Sequence, residues 1–298
     1  MELPLPRRTR RDHDATTSPQ VTTHTALNVS TDHQIFHLER ERVDAFITAP
    51  VARDVRALAF DGKLEPGQLA ALLAVVPNLE HFIWWEVRTK RAGEILGAAK
   101  LPRLTRLELS CGNFKTAGLD ALVTSKLAGQ LIELALIQMK VDLGVLCTSK
   151  KLVSLNSLVL GENDIRSPGL VQIAAAPFAK QLRSLRVWSN RIDGAAVAII
   201  AKFSQLERLD LQGNSLRDAA MSALAKALPR TLTHLKLDIN AKLSDKGLRA
   251  FAAARPPRLE LLDLSSTGVT SAIADELDVL DLRLESLESA QSFPVIHG

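Results

Sequence analysis

The chain has 298 residues, with 37 basic and 33 acidic side chains and a formal net charge of +4. So balanced a charge excludes the strongly basic class of nucleic-acid-binding proteins, and no apolar run approaches the ~18–20 residues that cross a bilayer. Hydrophobic residues make up 46% of the chain, but aromatics only 4% and Tyr is absent. Leu and Ala must therefore fill the core, which is typical of a repetitive architecture.

Residues 1–32 are predicted to be a disordered leader. Their basic side chains, Arg7, Arg8, Arg10 and Arg11 among them, are offset by acidic residues. They contain no apolar segment of the kind that a secretory signal needs. A solvated, unfolded segment is the structure that this composition favours.

Residues 33–54 are predicted to be an N-terminal cap. Apolar residues such as Phe36, Val43 and Phe46 alternate here with charged ones. The first unit of a repeat array exposes an apolar face, and a short helix or strand would cover it. His33 and His37 have a helical spacing that could bind a metal. Because the sequence offers no third ligand nearby, we predict no metal site.

The clearest repeat is 206–227, in which Leu206, Leu209, Leu211, Asn214 and Leu216 occupy positions 1, 4, 6, 9 and 11. Positions 4 and 6 lie on one face of a short strand. Apolar residues at helical spacing follow and predict a helix that ends at a proline. The same frame returns about every 25 residues, beginning at Val55, Leu79, Leu104, Leu131, Leu155, Leu182, Leu206, Leu232 and Leu259.

The segments between these strands predict helices over 66–76, 91–99, 116–127, 168–176, 193–203, 217–228, 244–254 and 270–277. The unit that begins at Leu131 has room only for a short turn within 142–149. Position 9 is asparagine only in the later units, at Asn163, Asn190, Asn214 and Asn240. A hydrogen-bonded row of asparagines is therefore expected only in the C-terminal half.

This frame resembles the leucine-rich repeat, and its helical second half is similar to the ribonuclease-inhibitor-like subtype. The resemblance implies an α/β solenoid, a horseshoe with a parallel β-sheet on the concave face and helices on the convex face. It covers residues 55–285, in about nine to ten repeats. Leu277, Leu280 and Leu282 indicate a degenerate tenth strand, and 286–298 form a C-terminal tail.

The sheet face turned away from the helices, which we call the inner face, carries repeat positions 3, 5 and 7, because these alternate with the buried positions 4 and 6. Trp and Arg are enriched at binding hot spots, and an exposed apolar patch indicates an interface. The candidate partner-binding residues are Ile83, Trp85, Ile137, Val159, Arg186, Trp188 and Arg208.

Two alternatives to that interpretation stay open. The row of Arg186, Asp210, Lys236 and Asp263 fits a set of cross-strand charge pairs that serve only each other. Trp85 fits a position under the cap, and a register slip of one residue would exchange the roles of Trp84 and Trp85.

No motif for catalysis, a cofactor or a metal occurs in the sequence, so we expect no enzyme activity. Cys111 and Cys147 are predicted to be small buried residues in a reducing compartment. The expectation is a cytoplasmic monomer that binds a protein or peptide partner, without nucleic acid or membrane. High Ala and Arg content favours a bacterial source. The alternative is a regulator of an enzyme, similar to GTPase activators, to ligase substrate receptors or to bacterial effectors.

Overall fold

A computed structural model describes residues 35–257, 259–270 and 273. Ten parallel strands form one sheet in which sequence neighbours are also spatial neighbours, so the order along the sheet runs from β1 to β10 without a crossover. The strands are β1 Phe36–Leu38, β2 Ala57–Asp61, β3 His81–Trp85, β4 Arg106–Ser110, β5 Glu133–Ile137, β6 Ser157–Val159, β7 Ser184–Arg186, β8 Arg208–Asp210, β9 His234–Lys236 and β10 Leu261–Asp263. The α/β solenoid expected from the sequence is confirmed.

Each strand pair joins the same repeat position in both strands. Leu185 pairs with Leu209, and Leu209 with Leu235. Leu209 and Leu235 are completely buried. Because side chains alternate along a strand, this constant register keeps one row of leucines in the core and the intervening side chains on the inner face.

Helices fill the return segments and pack on the opposite face of the sheet. They are α1 Val43–Thr48, α2 Pro66–Val75, α3 Ala92–Ala98, α4 Lys115–Val123, α5 Leu143–Leu146, α6 Arg166–Ala175, α7 Asp218–Ala227 and α8 Asp245–Ala253. The four-residue α5 confirms the short turn predicted in the unit from Leu131. Of the helix predicted over 270–277, only Thr270 and Ile273 are described.

The segment predicted as a helix over 193–203 is instead a nine-residue 3₁₀ helix, Gly194–Lys202. Val197, Ile199 and Ile200 are β-branched and Gly194 is flexible, so the intrinsic preference for an α-helix is weak here. Val197 and Ile200 are nevertheless buried. Packing therefore matters more than helix type in this unit.

The predicted cap region supplies a strand to the sheet. Strand β1 pairs in parallel with β2, Phe36 opposite Leu58. Phe46 on α1 is fully buried, and its ring stacks on Phe36 with the ring centres 5.1 Å apart. The sheet thus begins one strand before the first repeat identified in the sequence.

Buried asparagine side chains join the later repeats at the ends of their strands. Asn190 is fully buried, and its Oδ1 accepts from the backbone N–H groups of Asn163 (2.9 Å) and Ile165 (3.2 Å). Its Nδ2 donates to the carbonyls of Leu160 (2.7 Å) and Trp188 (2.9 Å). Corresponding bonds to the preceding repeat are made by Asn163, Asn214 and Asn240. The expected row of asparagines is confirmed.

The earlier repeats end their strands differently. Asn113 accepts only from the N–H of Lys115, inside its own turn, at 2.7 Å. The prediction that both cysteines are buried is wrong for Cys111, which is exposed. Cys111 has a positive φ of 55° in the turn after β4, where its Sγ donates to Oε1 of Gln138 at 3.1 Å. The turn carries it out of the core.

Among the helices described, none combines the length and the apolar character that a membrane crossing requires. The leader predicted over 1–32, the degenerate tenth strand and the tail over 286–298 lie outside the described residues.

We predict that Asn190→Ala lowers the free energy of unfolding by on the order of 1–3 kcal/mol, because it leaves buried backbone groups unpaired. Urea denaturation followed by circular dichroism measures this. Asn113→Ala is the matched control, since its side chain serves one exposed turn, and it should cost less than about 1 kcal/mol. Equal costs for the two variants would show that the buried row is not a source of stability.

Candidate functional site

The inner face is a grid of side chains whose rows run across the strands. In one row Val159, Arg186, Asp210 and Lys236 are successive partners. Adjacent strands lie about 4.8 Å apart, so each side chain on this face touches those from the neighbouring repeats. The chemical character of each part of the inner face is therefore set by residues from successive repeats, and not by residues that are consecutive in the chain.

Two of the predicted binding residues are not exposed, which corrects the expectation of a broad apolar surface. Val159 is 2% exposed and Ile83 is 8% exposed. Arg186 reaches across Val159, and its Nη2 lies 3.1 Å from Oε1 of Glu133 two strands away. Ile83 lies between Ala59 and the longer Glu108. Neighbouring side chains cover both residues, which their own sequence positions do not reveal.

Trp84 and Trp85 take the places that the sequence frame assigns to them. Trp84 is fully buried, and its Nε1 donates to the carbonyl of Gly62 at 2.8 Å. Trp85 lies half-buried on the inner face. Its ring is stacked with that of His37, with ring centres 6.4 Å apart and planes 12° apart. Trp85 is thus partly covered by the first strand, which agrees with the alternative that it lies under the cap.

Trp188 forms the other aromatic surface, just beyond the end of β7. A Cβ atom added at Gly161 would lie 2.2 Å from its Cε2 atom, so the indole rests directly on the backbone of the preceding repeat. Gly161 separates Ile137 from Trp188 in the same row. Ile137 and Trp188 are both half-buried. We call Ile137, Gly161 and Trp188 the Trp188 patch.

Glu108, Glu133 and Arg186 form a charged group beside this patch. Burial raises the pKa of Glu108. The charge of Arg186 lowers this pKa in part, and the charge of Glu133 raises it. The Nε of Arg186 is buried without a hydrogen-bond partner. Glu108 and Glu133 are not among the binding residues predicted from the sequence. Their repeat positions, which pair them with Ala135 and Ser157, could have placed them on the inner face.

Carboxylates crowd the C-terminal end of the inner face. Asp210, Asp238 and Asp263 are all buried, with Nζ of Lys236 at 3.6 Å from Oδ2 of Asp263. Burial, then Asp263 and Asp210, raise the pKa of Asp238 to about 6. Its Oδ1 has no hydrogen-bond partner within the described structure, while Oδ2 accepts from Gln212. The predicted cross-strand charge pairing is thus present for Lys236 and Asp263, whereas Arg186 binds Glu133 instead.

Arg208 lies on β8 at the opposite edge of this face. It is half-buried, and its Nε is buried without a partner. The charges that lower the pKa of nearby Asp210 are those of Lys236 and Arg186, not that of Arg208. Among the described residues no ion pair joins this guanidinium to a carboxylate, although its buried Nε atom is closed to an added group.

Among the described residues, no group of three or more His, Cys, Asp or Glu side chains is arranged to hold a metal ion. His81, on β3, has a pKa lowered to about 4 by burial and by Arg106. It is therefore neutral at pH 7. His33, the possible metal partner of His37, lies outside the described residues.

Comparison with known proteins gives one family match and one curated relative. A family model described as Leucine Rich repeat matches residues 205–225 and 229–252. An F-box/LRR-repeat protein 17 from Arabidopsis thaliana is 31% identical over 133 residues, which are 44% of this chain and 21% of that protein. The chain thus spans about a fifth of the length of the curated relative that it matches.

Two solved structures are similar to the fold. In the crystal structure of a Rad7 and Elc1 complex in yeast, the matching chain has a TM-score of 0.51 and 16% identity, over 85% of this chain and 76% of that one. An internalin from Listeria monocytogenes has a TM-score of 0.49 and 16% identity, over 81% of this chain and 70% of that one. At such identity, the first likeness shows a shared fold.

We predict that Gly161→Ala displaces Trp188 and lowers the free energy of unfolding by about 1–3 kcal/mol, because a methyl group overlaps the indole. Thermal or urea denaturation measures the loss. Gly67→Ala is the control: a Cβ atom there meets no atom within 4 Å, so that variant should be neutral or slightly more stable. A neutral Gly161→Ala would mean that the indole does not rest on this residue.

Because the pKa of Asp238 is raised in the folded chain, its carboxyl favours folding while it is protonated. The contribution of this carboxyl to the free energy of unfolding is fully present below about pH 4 and is lost as the pH rises through about 6. Asp238→Asn should therefore match the wild type near pH 4 and be more stable by on the order of 1–2 kcal/mol at pH 7. Denaturation curves from pH 4 to 8 test this, and a constant difference between the two proteins would contradict it.

Proposed function

We propose a binding function for this chain, which is a leucine-rich-repeat protein. The inner face holds a protein or peptide partner, and the chain performs no catalysis itself. The observation that carries the proposal is the half-buried indole of Trp188, seated on Gly161, together with the half-buried Arg208 of the next repeat.

The geometry favours a partner that presents an apolar and an acidic group together. Trp188 and Arg208 lie on adjacent strands but at repeat positions 7 and 3, so they are separated by about 13 Å along the strand direction. An extended peptide would span that distance in about four residues. An apolar side chain would contact the Trp188 patch while a carboxylate accepts from Arg208.

Rigidity supports affinity in this arrangement. Each inner-face side chain is held by backbone pairing on both sides, so little conformational entropy is lost when a partner binds. Arg186, already fixed by Glu133 at 3.1 Å, borders the site without adding a mobile charge.

The first test is partner capture from cell lysate with the wild type, Arg208→Ala and Trp188→Ala. We expect each variant to weaken capture by at least about tenfold, since Trp and Arg truncations at hot spots cost more than 1 kcal/mol. Quantitative mass spectrometry measures the bound proteins. Circular dichroism must first show that each variant is folded, because Trp188 also packs on Gly161.

The control carries Val153→Ala and Val171→Ala. These side chains are 67% and 45% exposed and lie outside the strands. Capture that survives both inner-face substitutions but is lost in this control would place the binding site elsewhere on the repeats.

A second candidate function is recognition of substrates for a ubiquitin ligase. The similarity to an F-box/LRR-repeat protein favours it, and the chain would then be the recognition part of a larger assembly. Ligase subunits co-purifying with the captured partner, and accumulation of that partner when the chain is depleted, are the expected results. Unchanged partner levels would contradict this role.

A further inference from the structure

The turns after β3, β4 and β5 border an open cleft of about 940 Å³. Its walls come from three segments, 87–94, 111–118 and 138–140. We call it the turn cleft. It lies at the strand ends, where its lining residue Gln138 directly follows Ile137 of the Trp188 patch, and it falls in the repeats where asparagine does not occupy position 9.

Cations dominate the lining of the turn cleft. Its basic residues are Arg88, Lys90, Arg91, Lys115 and Lys140, and its one carboxylate is that of Glu94. Arg91 already binds this carboxylate, with Nε 2.6 Å from Oε2. In the part of the chain that the structure describes, no hydrogen bond or ion pair engages the ammonium groups of the three lysines.

Carboxylates near the turn cleft are engaged by other groups. Asp142 accepts from Thr116 Oγ1 at 2.9 Å and from the N–H of Gly144 at 3.0 Å. Glu65 binds Lys63 at 2.8 Å, and this bond, more than the charge of Lys90, lowers the pKa of Glu65. In the described structure these carboxylates are bound by other groups, and not by the three lysines of the turn cleft.

At the same edge of the later repeats, arginines from the turns are paired with a carboxylate. Asp164 accepts from Arg166 at 3.0 Å and from Arg191 at 3.2 Å, so two turn arginines share one carboxylate. Both pairs are exposed, and each contributes little to stability. One carboxylate offsets only one of these two arginines, but each arginine has an ion-pair partner, whereas the three lysines of the turn cleft have none among the described residues.

The floor of the turn cleft is rigid. A Cβ atom at Gly93 would lie 2.1 Å from the carbonyl oxygen of Gly118, so the first turns of α3 and α4 are in backbone contact. A Cβ atom at Gly112 would likewise lie 2.3 Å from the carbonyl oxygen of Val87. Close backbone contacts fix the segments that carry the lysines before any ligand arrives.

We propose that the turn cleft binds an anionic peptide segment of a partner protein, one that carries phosphate groups or several carboxylates. Lysines from three successive turns would each meet one oxyanion. This site lies in the turns that follow the inner-face strands, and it goes beyond the binding function proposed for the inner face.

A peptide fits the turn cleft better than a nucleic acid or a membrane. The strands whose turns border it span about 10 Å, whereas nucleic-acid interfaces need a longer basic surface. A membrane surface would call for exposed apolar side chains beside the cations. Of the large apolar side chains that are exposed in the described structure, none lines this cleft.

Fluorescence anisotropy with labelled peptides tests the proposal on the full chain. The probes are alternating Gly–phosphoserine and Gly–Glu hexapeptides, with a Gly–Ser hexapeptide as the neutral control. We expect both anionic probes to bind at least about tenfold more tightly than the neutral one. A preference between the two would identify phosphate or carboxylate as the favoured group.

The variant Lys90→Gln/Lys115→Gln/Lys140→Gln should weaken binding of the anionic probes by at least about tenfold. The control Lys180→Gln/Lys202→Gln/Lys226→Gln changes the net charge equally at exposed sites outside the turn cleft, and it should stay within about twofold of the wild type. Lys115→Glu alone is a second variant that leaves most of the surface unchanged. Circular dichroism checks that all are folded.

Equal loss in the two triple variants would overturn the proposal, because it would show only a general charge effect. The proposal would also be overturned if a short DNA duplex or phosphatidylserine vesicles bound more tightly than either anionic peptide. Arg208→Ala should leave probe binding unchanged, which separates this result from the test of the inner face.

Discussion

Parallel pairing at a constant repeat position is the constraint on which the rest of this structure depends. From β1 to β10 each strand pairs with the next along the chain, and a slip of one residue would exchange the core and the inner face. The leucine rows hold the register because their burial favours it. Everything on the inner face is therefore positioned by residues that lie in the core.

The same constraint concentrates charge. Residues at the same repeat position become spatial neighbours, so acidic residues of successive repeats lie together around Lys236. Burial raises the pKa of Asp238 and of Asp210. A helix or loop could move such groups apart, but a strand paired on both sides cannot. The crowded carboxylates, and the nearby arginines whose buried Nε atoms lack a hydrogen-bond partner, are unfavourable arrangements that the constant register imposes.

Asparagine divides the turn edge into two kinds of surface. Where Asn163 to Asn240 occupy position 9, side-chain amides bind the backbone of the preceding repeat and hold the turns close. Where that amide is absent, the turns after β3 to β5 leave an open cleft with unpaired lysines. The turn edge of the repeats with asparagine is therefore closed, whereas that of the repeats after β3 to β5 forms a basic cleft.

The sequence by itself determined the repeat frame, the strand order, most helix positions and the row of asparagines. These follow from local spacing, because a period of two or of 3.6 residues fixes which side chains face the core. Only the tertiary structure decided that Arg186 covers Val159, that Trp188 rests on Gly161, that Cys111 is turned outward and that the unpaired lysines meet at one cleft. Those outcomes depend on contacts between residues about 25 or more positions apart, which the pattern within one repeat does not contain.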